Sequence, residues 1–186
     1  MTSTPQRPGG RSARVREAVL AATAAELSER GFAAMTIEDI ATRSGVHKTT
    51  IYRRWSTLSQ LVADAAVEVS ATTVPIPDTG SIESDLREMA RSIVALVTSE
   101  SGGALVAALF SDAVRTPEVA RLKREFYSAR YELADIVVRR AVERGEISEQ
   151  VSAADLLAAV AAPIYYRLLV ADLPVDQSVA DRAAAG

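Results

Sequence analysis

Thirty-four of the 186 residues are alanine, against nine glycines and seven prolines, and β-branched or aromatic runs are few. Alanine is the strongest helix former and is depleted in strands, so the expectation is an all-α fold. The length suits one full-size domain, or one with a small added module. Charged residues make up 24% and hydrophobic ones 48%, which excludes disorder across the whole chain. The absence of cysteine removes disulfides, thiolate zinc sites, iron–sulfur clusters and cysteine nucleophiles. A single histidine, His47, excludes His-rich metal sites and a Ser-His-Asp triad on any other imidazole. No catalytic residue, metal or cofactor is therefore expected.

The uncharged apolar run Leu156–Tyr166 is shorter than the roughly 20 residues a bilayer requires. Thr2–Gly10 is polar and lacks the apolar core of a signal peptide, so a cytoplasmic protein with no membrane partner is expected. The net charge of −3 conceals a split: residues 1–60 hold nine Lys/Arg and five Asp/Glu, and residues 61–186 hold twelve and nineteen. A basic first third on an acidic body suggests that the first third faces a polyanion.

Spacing and capping signals predict helices at 12–30, 36–43, 47–54, 57–71, 81–101, 104–114, 116–144, 152–166 and 176–184. The first is a flexible arm's continuation, with Val15, Val19, Ala22 and Leu27 on one stripe and Gly31 as its stop. Thr36 and Asp39 resemble a capping box. Residues 72–80, with two prolines and a glycine, read as a boundary or a long connection, and Gly102-Gly103 as a helix break. Thr116-Pro117-Glu118 starts a long helix with Val119, Leu122, Phe126, Ala129, Leu133 and Ile136 along its apolar stripe.

The most informative stretch is Thr36–Leu61. Ile40, Ala41, Gly45, Val46 and Ile51 supply the apolar contacts, the small crossing residue and the turn glycine of a helix-turn-helix. Its second helix leaves His47, Lys48, Thr49, Thr50, Tyr52 and Arg53 facing outward, donors suited to phosphates and base edges in a major groove. The competing reading is a surface helix of an ordinary bundle.

Through Gly31-Phe32, Met35–Ala41, Ser44–Val46, Lys48, Thr50–Tyr52, Trp55 and Leu61, the segment resembles the DNA-binding domain of the TetR (tetracycline-repressor) family of bacterial regulators. The resemblance covers about fifty residues; the all-helical remainder is similar in layout. It implies an arm over 1–10, a helix-turn-helix domain over 11–56, and an effector-binding and dimerisation domain over 57–186. It also places the Thr36 hydroxyl and the start of its helix on a phosphate, Tyr52 on another, Trp55 in the small domain's core, and Arg11 and Arg14 against the adjacent backbone or minor groove. Two positions depart from the family pattern. Leu58 stands where many relatives have a phosphate-binding Lys, and Thr49 where Gly is frequent.

The family layout puts a small-molecule pocket among the fifth to seventh helices. Leu86, Met89, Ile93, Leu105, Leu109, Phe110, Phe126, Tyr127, Arg130 and Tyr131 are the candidates for its lining, which would favour an apolar effector. The eighth helix is apolar almost all round, so one face needs a partner. Ala158, Ala162, Tyr165, Tyr166 and Leu169 are the candidates for a homodimer contact through the eighth and ninth helices, with a kink at Pro163. A homodimer implies a palindromic operator in double-stranded DNA, and a ligand-responsive repressor is the expected function. The alternative is a helical ligand-binding module or enzyme without gene control.

Overall fold

The computed structural model describes residues 10–111 and 117–185. These form α1 (Gly10–Arg30), α2 (Ile37–Ser44), α3 (Lys48–Arg54), α4 (Leu58–Thr73), α5 (Ile82–Thr98), α6 (Glu100–Ser111), α7 (Pro117–Glu143), α8 (Ala153–Tyr165) and α9 (Gln177–Ala185). Thr57, Ser81 and Ser152 cap α4, α5 and α8, each accepting a backbone N–H three residues on. The expected cap Thr116 lies outside the described residues.

Two hydrophobic clusters organise the chain. The first joins α1, α2 and α3 to α4 and α6, around Val19, Leu27, Ile40, Ile51, Trp55, Leu61, Leu105 and Leu109. The second joins α5 to α7, α8 and α9, around Met89, Ile93, Val137, Val160, Ile164 and Ala180. The first core thus runs straight from the helix-turn-helix into α6 of the C-terminal body. Arg16 of α1 also pairs with Glu68 of α4 at 2.5 Å.

The break between α5 and α6 falls at Ser99, not at Gly102-Gly103, and the two helices meet there at 88°. Ser99 ends one helix and begins the next: its N–H donates to Ala95 O, and its Oγ accepts from the Gly102 N–H at 3.1 Å. A Cβ on Gly102 would lie 2.1 Å from Leu96 O and 2.7 Å from Leu96 Cδ1. The glycine is therefore a spacer that lets the corner close. Gly102→Ala should force that corner open, at about 1–3 kcal/mol on the scale of overpacking, and lower the melting temperature by roughly 5 °C. An unchanged calorimetric transition would show that the corner yields freely.

α7 is rotated relative to its sequence stripe. Its buried row is Arg130, Ala134, Val137 and Ala141, whereas Leu133 is 37% exposed. An apolar count misses that row because it passes through an arginine. Beyond α8 the chain widens into a π-helical turn, Tyr166–Val170. α8 itself runs through Pro163 to Tyr165. Over 153–170 the mean hydropathy is 1.5, so by length and composition alone this stretch is apolar enough to cross a membrane, unlike the shorter run expected. A third of it is buried, with α8 packed on α5, α7 and α9.

Candidate functional site

α2 begins with a complete capping box. Thr36 Oγ1 accepts from the Asp39 N–H at 3.2 Å, and Asp39 Oδ2 accepts from the Thr36 N–H at 3.0 Å. The Thr36 hydroxyl donates to that same carboxylate oxygen at 2.6 Å, so its proton is already committed. This hydroxyl, followed by the Thr36 N–H and Arg30, holds the Asp39 carboxyl below its ordinary range. With Glu38 and Asp39 both in the first turn, the positive end of α2 is largely answered within the protein. A phosphate at this helix start would meet the backbone rather than a free Thr36 hydroxyl.

Gly45 closes α2 at φ 67°, ψ 14°, a left-handed conformation that a Cβ would strain. His47 then caps α3: its Nδ1 accepts from the Thr49 N–H at 3.4 Å and lies 2.9 Å from Thr49 Oγ1. The remaining edge of the ring is exposed, beside Lys48 and Thr49, which are also exposed. Lys48 Nζ lies 3.4 Å from Glu38 Oε1, an exposed pair of little intrinsic worth. Tyr52 is 48% exposed, and its hydroxyl has no partner among the described residues. Arg53 is likewise exposed and unpaired among them, whereas Thr50 is half-buried. Arg54 turns back to α1, donating to Ser12 Oγ at 3.4 Å with its guanidinium 5.4 Å from the Trp55 ring centre. Arg14 is exposed, and the Arg11 side chain lies outside the described residues.

The underside of this unit is dry. Ile37, Ile40, Ile51 and Trp55 are buried, and Trp55 Nε1 donates to Asp64 of α4 at 2.8 Å. Leu58 packs partly buried against the same core. A short helix, fixed from beneath and presenting Lys48, Thr49, Tyr52 and Arg53 together, has the geometry of a recognition helix.

Residues 76–186 match the profile of the tetracyclin repressor-like C-terminal domain, and residues 19–65 match that of the bacterial regulatory proteins of the tetR family. The chain belongs to the TetR family of bacterial transcriptional regulators. Within the family, it is 37% identical over 142 residues to the HTH-type transcriptional regulator AqdR of Rhodococcus erythropolis, covering 76% of this chain and 68% of that one. It is 28% identical over 162 residues to the uncharacterized regulator YdeS of Bacillus subtilis, covering 87% and 82%. The crystal structure of the TetR family regulator SCO0332 superposes with a TM-score of 0.79 at 33% identity, covering 92% of this chain and 95% of that one. The protein is thus a helix-turn-helix transcriptional regulator of a family of ligand-responsive repressors.

In the body, two adjoining cavities lie where the two hydrophobic clusters meet, and Ser70, Leu96, Phe126, Tyr127 and Tyr165 line both. One extends to Val74, Ile93, Arg130, Leu157 and Ala161, and the other to Val69, Leu105, Leu109 and Phe110. Seven of the ten residues named from the sequence line one cavity or the other. Leu86, Met89 and Tyr131 line neither; Met89 is fully buried core, and Tyr131 stands behind Tyr127 with ring centres 6.1 Å apart. Room for a water-sized body is about 30 Å³ in the first and 20 Å³ in the second, so a larger guest requires side chains to move.

Tyr165, expected at a subunit contact, points inward: its ring centre is 5.3 Å from that of Phe110, and it lines both cavities. The signal was in the spacing. Leu157, Ala161 and Tyr165 are four apart and form the cavity face of α8, while Ala158, Ala162 and Tyr166, one residue on, form an exposed row. Tyr166, Leu169, Val170 and Leu173 are exposed large apolar side chains. α9 contributes none of this kind; its Val179 and Ala180 are buried in the second cluster.

Proposed function

We propose that the protein is a homodimeric repressor that binds a palindromic operator and is released when an apolar effector enters the cavity beneath α4. The observation that carries this reading is the exposed set Lys48, Thr49, Tyr52 and Arg53 on α3, held rigid by a buried underside. The exposed apolar row of α8 and its π-helical turn supplies a face that two copies would cover, and so sets the distance between two recognition helices. In this division of labour residues 11–56 read DNA and residues 57–186 bind effector and partner, while residues 1–9 of the expected arm lie outside the described residues. The protein works in the cytoplasm, on DNA, and catalyses nothing.

Release follows if the effector binds one dimer arrangement better than the other. Two routes lead from the cavity to the reader. α4 is the covalent one, and α6, whose Leu105 and Leu109 line the cavity and also join the first core, is the packed one. A gel shift with the DNA upstream of the chain's own gene tests the reading. The complex should form at low salt and weaken steeply as salt rises, because phosphate contacts release counterions. No shift on that DNA, or one indifferent to salt, would count against gene control by α3.

A further inference from the structure

Arg130 projects from α7 into the cavity described above and is 8% exposed. Its Nη2 donates to Val74 O at 3.1 Å, the carbonyl that ends α4. Among the described residues no carboxylate lies within ion-pairing distance of it. Its cavity neighbours are apolar side chains, the Ser70 hydroxyl and the phenols of Tyr127 and Tyr165, and burial pushes the Tyr127 phenol above its ordinary range, so it stays neutral. A second cation, Lys123, lies over Phe110 of the second cavity's lining but is partly buried and lines neither cavity itself. Its Nζ sits 3.7 Å from the Phe110 ring centre, also without an acidic partner among the described residues. Removing a guanidinium from water is costly unless an anion and hydrogen bonds replace its hydration, and one backbone carbonyl is a partial answer.

Resting on the assignment of this cavity to the effector, we infer that the effector is an amphiphilic acid: an apolar body lying along Phe126, Leu96 and Ile93, with a carboxylate head on Arg130. The planar guanidinium can take both oxygens of a carboxylate, and the Tyr165 hydroxyl, which accepts from Tyr127 and so keeps its own proton free to donate, lines the same cavity. The carboxylate and the last carbonyl of α4 then compete for one guanidinium. The head group thereby acts on the end of the helix whose other end carries Trp55 and the reader.

Matched probes test this with the full-length protein: decanoate against decanol, and 2-naphthoate against 2-naphthamide, followed by calorimetric titration and by release from upstream DNA. Each acid should bind at least tenfold more tightly than its neutral partner. Arg130→Leu should erase that preference, and Arg130→Lys should retain part of it. Equal or tighter binding of the neutral partners to the native protein, which needs no variant, overturns the inference. So does an acid preference that survives Arg130→Leu. Binding of neither member of either pair overturns the inference together with the cavity assignment. Arg130-dependent acid binding that leaves the DNA complex intact upholds the amphiphilic-acid site and overturns effector release as the mode of regulation.

Discussion

Ala162→Glu and Tyr166→Glu are expected to convert the protein to a monomer and to weaken its hold on a palindromic operator by on the order of a hundredfold or more. Both side chains are exposed in the single chain, with Tyr166 60% accessible, so neither change disturbs the protomer's own core. In a dimer covered along this row, each change would bury a carboxylate against alanine, tyrosine and leucine with no partner. Two linked half-site contacts exceed one by roughly 10² to 10⁴ in affinity, and that gain disappears with the dimer. Light scattering at micromolar concentration and a gel shift on the same samples check the result. Persistent dimers in both variants would move the contact to another surface.

Lys48→Ala and Tyr52→Phe should each weaken DNA binding by about 1–3 kcal/mol without altering the melting temperature. The Tyr52 hydroxyl has no intramolecular partner among the described residues, so its loss is felt only on DNA. Lys48 has one, Glu38 at 3.4 Å, and must exchange it for phosphate. Glu38→Gln should therefore raise affinity, while Lys48→Ala should reduce the salt slope by about one. Fluorescence anisotropy across a salt series measures both. Affinities unchanged in Lys48→Ala and Tyr52→Phe at matched salt would remove α3 from the DNA interface.

Local signals carried most of the architecture. Thr36, Thr57, Ser81 and Ser152 begin helices as expected because capping is settled within three residues of the cap. Gly45 between Ile40 and Ile51 was legible for the same reason: a left-handed turn and two contacting apolar positions lie within a dozen residues. The outward set on α3 follows from which positions remain once Ile51 and Trp55 are taken inside.

Docking between helices decided what local signals left open. Gly102 reads as a breaker until Leu96 is seen 2.1 Å from its missing Cβ; the sequence marks a glycine but not whether space or flexibility requires it. Spacing sets Tyr165 in one row with Leu157 and Ala161 and Tyr166 in another with Ala158 and Ala162, but the packing of α8 decides which row turns inward and which stays on the surface. Lys48 reads as a free donor until the α2–α3 crossing brings Glu38 to it. Arg130 was one of ten candidates for a pocket lining; its seat against the end of α4, with no acid beside it among the described residues, is what the tertiary structure added. A helix's periodicity marks which residues share a face, but the partner facing it, and hence the work the face does, depends on residues tens of positions away.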